Sequence, residues 1–252
     1  MLTLTLSLFI TQAVAALSPA EQDRLTLCLD QARRDPPSAI AQANEWLGES
    51  SGAGAALPQQ CLGQAYVSLL RWEAAEQAFL AARDAATDRA WRARLGAMAG
   101  NAALAAERWD AALAAFDAAI GDAAMAGETA LSGSIASDRA RALVGLGRLD
   151  AAAAALETAR SDAPQNAEAW LLSATLARRH DDLPSAASLI ATAAALAPDD
   201  PAIALEAGTI AILVGDEEAA RRSWQRVREL APDGPEAATA AGYLAQLDEA
   251  GE

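Results

Sequence analysis

A fixed spacing of 34 residues runs through the C-terminal half of the chain and limits its architecture more than any single motif. Three prolines, Pro164, Pro198 and Pro232, recur at this interval. Two further sets of residues, or columns, recur at the same interval. One set is small, Ala152, Ala186 and Ala220, and the other is large and apolar, Leu156, Ile190 and Trp224. A repeated unit buries its apolar face against its neighbours, so the period predicts a solenoid of stacked units.

The unit from 167 to 200 shows how each half of the repeat is expected to fold. Ala174 and Ala186 are small where two helices must approach each other closely. Acidic residues at Asp181 and Asp182 interrupt the apolar pattern and predict a turn, and Pro198 is expected to end the second helix. The unit is therefore predicted to be a helix–turn–helix.

A 34-residue unit with these columns resembles the tetratricopeptide repeat. The resemblance implies an all-α fold, a right-handed α-α superhelical solenoid of about six helix–turn–helix repeats with a C-terminal cap helix. The first unit departs most from the pattern, since Pro36-Pro37 lies at its turn and Ala39, Ala43 and Trp46 alone fit the columns. The predicted repeats cover residues 20–53, 56–89, 93–126, 133–166, 167–200 and 201–234, and the cap helix 235–249.

The spacing between units widens between Ala82 and Trp91 and again over residues 121–133, and a further glycine-containing connection lies at residues 49–56. Residues 121–133 (GDAAMAGETALSG) predict either extended helices or a wide loop, and residues 49–56 (ESSGAGAA) predict a flexible connection. The segment 49–56 is not flanked by enough chain to separate an independent domain. We therefore expect a single solenoid domain over residues 16–252.

The first 15 residues are predicted to be a signal peptide. A short apolar run from Leu2 to Ile10 precedes Ala13-Val14-Ala15, a small-x-small pattern typical of signal peptidase sites. The run is shorter than the roughly 20 residues that a membrane-spanning helix needs. We therefore expect a periplasmic mature chain without an integral membrane segment. No Lys or Arg precedes the run, so a wrongly assigned start and a cytoplasmic protein remain alternatives.

The charge of the chain disfavours two classes of partner. Its net charge is −15 at pH 7, so the phosphates of nucleic acids and anionic membrane surfaces would be repelled.

The two cysteines, Cys28 and Cys61, fall at similar places in the first helices of successive units. In an oxidising compartment they are expected to form a disulfide, and the alternative is two buried thiols.

The sequence contains no recognisable catalytic, metal or cofactor motif, so neither an enzyme nor a cofactor is expected. The sole histidine, His180, is expected in a solvated turn, and paired carboxylates such as Asp199-Asp200 fall where acidic side chains offset a helix dipole. A Glu-Ser pair at Glu49-Ser50 is the one feature shared with cell-wall lyases, for which the chain has no lysozyme-like domain.

A binding surface is the remaining function that the sequence supports. In tetratricopeptide proteins the first helices line a concave groove that holds a peptide or a partner helix, which implies protein binding or assembly in the cell envelope. Self-association as a scaffold and an accessory part of a cell-wall enzyme are the alternatives. Arginines on this face would favour an acidic partner segment, and the alternative is that they are solvated charges of a helix surface. The candidate groove residues are Arg94, Asn101, Arg141, Thr175 and Arg178.

Overall fold

The structure is a computed structural model that describes residues 18–250. The predicted signal peptide, residues 1–15, lies outside the described residues. The chain forms thirteen α-helices and one short 3-10 helix in that range: α1 Pro19–Arg34, α2 Pro36–Glu49, the 3-10 helix Gly52–Ala55, α3 Ala56–Ser68, α4 Trp72–Ala85, α5 Arg89–Ala105, α6 Trp109–Ala126, α7 Thr129–Gly145, α8 Leu149–Asp162, α9 Ala167–Arg179, α10 Leu183–Leu196, α11 Pro201–Leu213, α12 Glu217–Leu230 and α13 Pro235–Ala250.

The helices form six antiparallel pairs, α1/α2 to α11/α12, followed by the single helix α13. Each pair packs closely, and each second helix also packs against the first helix of the next pair. Between residues 18 and 250 there is no strand, and the fold is the all-α helical solenoid that the period predicts. The first helices α5, α7, α9 and α11 also contact one another directly. The first helices therefore form one continuous layer.

The repeat columns are the places where helices touch. Ala152, Ala186 and Ala220 are completely buried, which confirms the small column. Three glycines face an aromatic ring so closely that a Cβ atom would overlap it, because the ring of the second helix fills the space above the first: Gly63 with Phe79, Gly100 with Phe116 and Gly208 with Trp224. Glycine in these first helices therefore sets the distance within each pair.

Helix starts and turns follow local chemistry. Asp182 accepts a hydrogen bond from the Ser185 amide (3.2 Å) and Asp200 from the Ala202 amide (2.8 Å), so both acidic residues cap helices as expected. The turn between the two helices of a unit contains a residue in the left-handed region. Glycine occupies this position in two units and a residue with a side chain in three: Gly147 and Gly215; Leu70, Glu107 and Asp181.

The two irregular segments of the sequence are helical. Helix α6 continues to Ala126 and α7 begins at Thr129, so the wider spacing there comes from longer helices joined at Gly127, whose φ is 74°. The predicted flexible connection 49–56 is ordered. It holds the end of α2, the 3-10 helix and the first residue of α3, and the 3-10 helix packs against α3 and α4.

Each end of the solenoid has its own closure. Cys28 on α1 and Cys61 on α3 are fully buried and joined by a disulfide bond, with their Cα atoms 6.0 Å apart. At the other end, α13 packs on α12, and Tyr243 lies against Trp224 with ring centroids 5.0 Å apart. The disulfide therefore links the first helices of the first two pairs, and α13 covers the apolar surface of the last.

Candidate functional site

The exposed face of the first-helix layer is where the predicted groove residues lie. Arg94 and Asn101 are seven residues apart on α5 and therefore share one side of that helix. Both are exposed, whereas the alternate positions Ala93 and Leu95 are buried. Arg141 lies on α7, and Thr175 and Arg178 lie on α9.

Asp138 brings two of the predicted residues together. The side-chain amide of Asn101 donates a hydrogen bond to Asp138 Oδ2 at 3.0 Å, and Arg141 Nη1 lies 3.4 Å from Asp138 Oδ1. The same nitrogen of Arg141 lies 3.6 Å from Oε1 of Glu168, which belongs to α9. Residues from α5, α7 and α9 therefore meet in one polar cluster, which we call the Asp138 cluster (Asn101, Asp138, Arg141 and Glu168).

The Asp138 cluster forms one wall of a cavity of about 740 Å³. The other residues that line the cavity are apolar: Leu104, Ala105, Trp109, Val144 and Gly145. Gly145 is required there, because a Cβ atom on it would lie 2.5 Å from the ring of Trp109. A cavity of this volume with a few polar groups beside apolar walls is typical of binding sites.

Partial burial shifts the pKa of both carboxylates, of which Asp138 is 19% exposed and Glu168 is 50% exposed. It raises the pKa of Asp138, and the hydrogen bond from Asn101 and the charge of Arg141 offset only part of this effect. Burial also raises the pKa of Glu168, to which the negative charges of Asp138 and Asp200 add, while Arg141 opposes them. A single arginine therefore compensates the charges of two carboxylates incompletely.

The other predicted residues are separate from this cluster. Arg178 forms a forked pair with Glu206 of α11, with Nε–Oε1 and Nη2–Oε2 distances of 2.7 and 3.2 Å. Thr175 lines a second, smaller cavity of about 150 Å³ that shares Arg141 with the first. Arg94 forms no hydrogen bond or ion pair within the described residues. Of the three arginines predicted for an acidic ligand, two are therefore engaged with carboxylates of the chain itself.

Sequence reasoning missed the acidic members of this face, Asp138, Glu168 and Glu206. Asp138 stands three residues before Arg141 on one helix, a spacing that places the two side chains side by side and could have indicated the pair. Glu168 lies in the first turn of α9, where an acidic residue is also expected from the helix dipole, so its position gives no separate signal of a site. Contacts from α7 to α9 depend on how successive units rotate, which a sequence column does not specify.

Two almost completely buried carboxylates, Asp122 and Glu76, lie between neighbouring helix pairs. Asp122 of α6 is 1% exposed and accepts hydrogen bonds from three arginines, Arg83, Arg89 and Arg92. Burial alone would raise the pKa of Asp122, but the hydrogen bonds from Arg89 and Arg83 and the charges of Arg83 and Arg92 outweigh it and lower the pKa. Three cations thus hold α4, α5 and α6 together at one carboxylate.

The second buried carboxylate is Glu76 of α4, which is 4% exposed and lies 2.5 Å from Nη1 of Arg108, at the N-cap of α6. Burial raises the pKa of Glu76, and the charge of Arg108 only partly offsets this. The pair joins neighbouring units in the same way as Asp122. Both buried carboxylates therefore contribute to the stacking of units.

Residues considered for other chemistry have ordinary structural roles. His180 is exposed at the C-cap of α9, as expected for a turn residue. Glu49 pairs with Arg24 at 2.9 Å, and the Ser50 hydroxyl donates to the Trp46 carbonyl. Within residues 18–250 no three His, Cys, Asp or Glu side chains are placed to hold a metal ion. Over the same residues, no helix combines the length and apolar character needed to cross a membrane.

Comparison with known proteins gives one match to a family and several to folds. The family model described as "Tetratricopeptide repeat" matches residues 137–201. No curated protein matches the chain in sequence. These 65 residues include Asp138, Arg141 and Glu168 of the Asp138 cluster.

Solved structures resemble the whole solenoid. PilW, titled a widely conserved type IV pilus biogenesis factor, has a TM-score of 0.70 at 18% identity and covers 89% of this chain and 100% of its own. The pilF protein of Pseudomonas aeruginosa has a TM-score of 0.69 at 14% identity, with 90% and 97% covered. BtubC from P. vanneervenii has a TM-score of 0.61 at 17% identity, with 82% and 90% covered.

Because the sequence identities of these three structures are low, they show a similarity of fold alone. The repeat columns, the six helix pairs and the match over residues 137–201 agree with one another. Residues 137–201 therefore match the tetratricopeptide-repeat family, and the chain as a whole shares the all-α helical-solenoid fold of these structures.

Proposed function

We propose that the protein is a non-catalytic binding module that holds a peptide or a helix of a partner protein against the first-helix face, in the service of assembly in the cell envelope. The observation that carries the proposal is the cavity of about 740 Å³ beside the Asp138 cluster. Packing within the solenoid does not require polar side chains there, since buried alanines and aromatic residues already fill the interior of each unit.

Two further observations support assembly in the envelope. The solenoids of PilW and pilF extend over nearly the same length of chain, and the PilW title names a biogenesis factor. The disulfide between Cys28 and Cys61 belongs to proteins of oxidising compartments. Together with the signal-like N-terminus, these features support a periplasmic location.

The charge of the partner follows from which arginines are available. An acidic segment would pair with Arg94, Arg141 and Arg178 together. Arg178 is held by Glu206, and Arg141 faces two carboxylates, so Arg94 is the one groove arginine in the described chain without a paired carboxylate. The prediction of an acidic partner is therefore supported by one unpaired arginine, Arg94, and not by three.

The test is photo-crosslinking in cells of the native host. A photoreactive amino acid at Arg94, on the first-helix face, is compared with one at Ala114, which is exposed on the second helix α6. We expect a discrete adduct with another protein from position 94 and little from position 114. Equal adducts at both positions would contradict the proposal. An adduct of two copies of this chain at position 94 would instead favour the self-associating scaffold.

A further inference from the structure

We propose that the cavity beside the Asp138 cluster receives a lysine or arginine side chain, so that the partner segment bound on the first-helix face is basic. The inference rests on the proposed binding function and specifies the chemistry of its ligand. Three features favour a basic side chain: the geometry of Arg141, the charge of the cluster and the apolar walls opposite it.

Arg141 compensates its two carboxylates loosely. Its Nη1 atom alone approaches them, at 3.4 Å from Asp138 and 3.6 Å from Glu168. By contrast, Arg178 contacts Glu206 through two nitrogens, with its shorter distance at 2.7 Å. The contrast leaves part of the hydrogen-bonding capacity of both carboxylates available to a ligand.

The cluster is short of one positive charge. Asp138 and Glu168 carry two negative charges when ionised, and Arg141 carries one positive charge. Asn101 adds a hydrogen bond to Asp138 without adding charge. A cation that enters the cavity would complete the pairing, whereas a carboxylate would be repelled by both acidic side chains. Burial is the main cause of the raised pKa values of Asp138 and Glu168, and the charge of Arg141 offsets only part of it.

The other walls fit the remainder of a basic side chain. Lysine and arginine carry an aliphatic stem below the charged group, and such stems lie favourably along apolar surface. Leu104, Val144 and Trp109 line the cavity and offer that surface. The cavity therefore combines an apolar path with a terminal pair of carboxylates.

A random 12-residue peptide library tests the proposal directly. Peptides are selected on the protein, and the charge-neutral double variant Asp138→Asn/Glu168→Gln serves for counter-selection. Asp150→Asn/Glu157→Gln on α8 is the matched control, since it removes the same two charges from exposed positions. We expect selected peptides to be enriched in Lys or Arg at one fixed position.

The affinity of one selected peptide then separates the cavity from the general field of the chain. By calorimetry we expect the double variant to bind about 10-fold to 100-fold more weakly, the loss given by removed hydrogen bonds to a charged group. The control variant should bind within about twofold of the unchanged protein, because distant exposed charges are screened by salt. Melting temperatures establish that both variants fold.

The outcomes distinguish the basic-ligand proposal from the proposed binding function. Selected peptides that are acidic or neutral, or equal losses in the double variant and the control, would overturn the basic-ligand proposal and leave groove binding standing. A library that yields no peptide retained on the first-helix face would overturn both. Enrichment of basic residues that the double variant abolishes would support both.

Discussion

Replacing Asp122 by asparagine removes the charge that three arginines share between neighbouring units. Oδ2 accepts from Arg83 Nε and Nη2 at 3.1 and 2.6 Å, and Oδ1 accepts from Arg89 at 2.9 Å and from Arg92 at 3.3 Å. Asparagine retains one acceptor oxygen, and its amide group turns a donor toward other donors. The variant therefore loses the hydrogen bonds at one of the two oxygens.

The expected cost follows from these bonds and from the exposure of the arginines. Hydrogen bonds to a charged group contribute roughly 1.5 to 3 kcal/mol each. Arg89 is 51% exposed and can return to water, whereas Arg83 and Arg92 are 17% and 21% exposed. We expect a loss of about 2 to 4 kcal/mol, equal to roughly 5 to 15 °C in melting temperature for a chain of this size.

Thermal melting followed by circular dichroism measures this loss. The matched control is Asp117→Asn on the same helix, because Asp117 is 53% exposed and its pair with Arg139 should contribute at most about 1 kcal/mol. Equal shifts for the two variants, or no shift for Asp122→Asn, would refute the role given to the buried carboxylate.

The pH dependence gives an independent check of the same group. The folded protein lowers the pKa of Asp122 below that of the unfolded chain, so its stabilisation is fully present above the ordinary aspartate pKa of about 3.9. The difference between the unchanged protein and Asp122→Asn should therefore be constant from about pH 5 to 8 and shrink as the pH falls below about 4. A difference that grows toward acidic pH would contradict the assignment.

Three further predictions concern stability. Cys61→Ser should lower the melting temperature by opening a 33-residue loop that contributes roughly 3 to 4 kcal/mol, and labelling two free thiols in the unreduced, denatured protein would exclude the disulfide with Cys28. Ala186→Leu should cost about 1 to 3 kcal/mol by overpacking a fully buried site, and Ala194→Leu at a half-buried site should cost less; equal costs by denaturant unfolding would mean a misplaced repeat frame. Glu107→Gly should stabilise by about 0.5 to 1 kcal/mol because φ is 56° there, and a lower denaturation midpoint would contradict this.

The sequence predicts the repeat positions at which the two helices of one pair pack against each other. Ala174 and Ala186 must be small because the two helices of one unit meet there, and a helix pair repeated 34 residues later meets in the same way. Pro198 ends α10 within two residues of the expected position, since proline cannot continue the helical hydrogen bonds. These local rules do not depend on how units rotate.

The contacts between units could not be read in this way. Asn101 meets Asp138 across 37 residues and Arg83 meets Asp122 across 39, so neither pair keeps the 34-residue period. The longer helices α5 and α6 shift this part of the chain out of register. The repeat columns therefore place Arg141 and Arg178 on first helices, but they do not indicate the carboxylates that engage them.

Nuclear magnetic resonance of the bound groove tests the central claim most directly. The indole N–H of Trp109 and the side-chain amide of Asn101 report on the cavity, whereas the indole of Trp224 is 3% exposed beneath the C-terminal helix. Titration with a selected basic peptide should shift the first two resonances, assigned through Trp109→Phe and Asn101→Asp, and leave Trp224 unchanged. Saturable binding that leaves Trp109 and Asn101 unshifted would contradict the account.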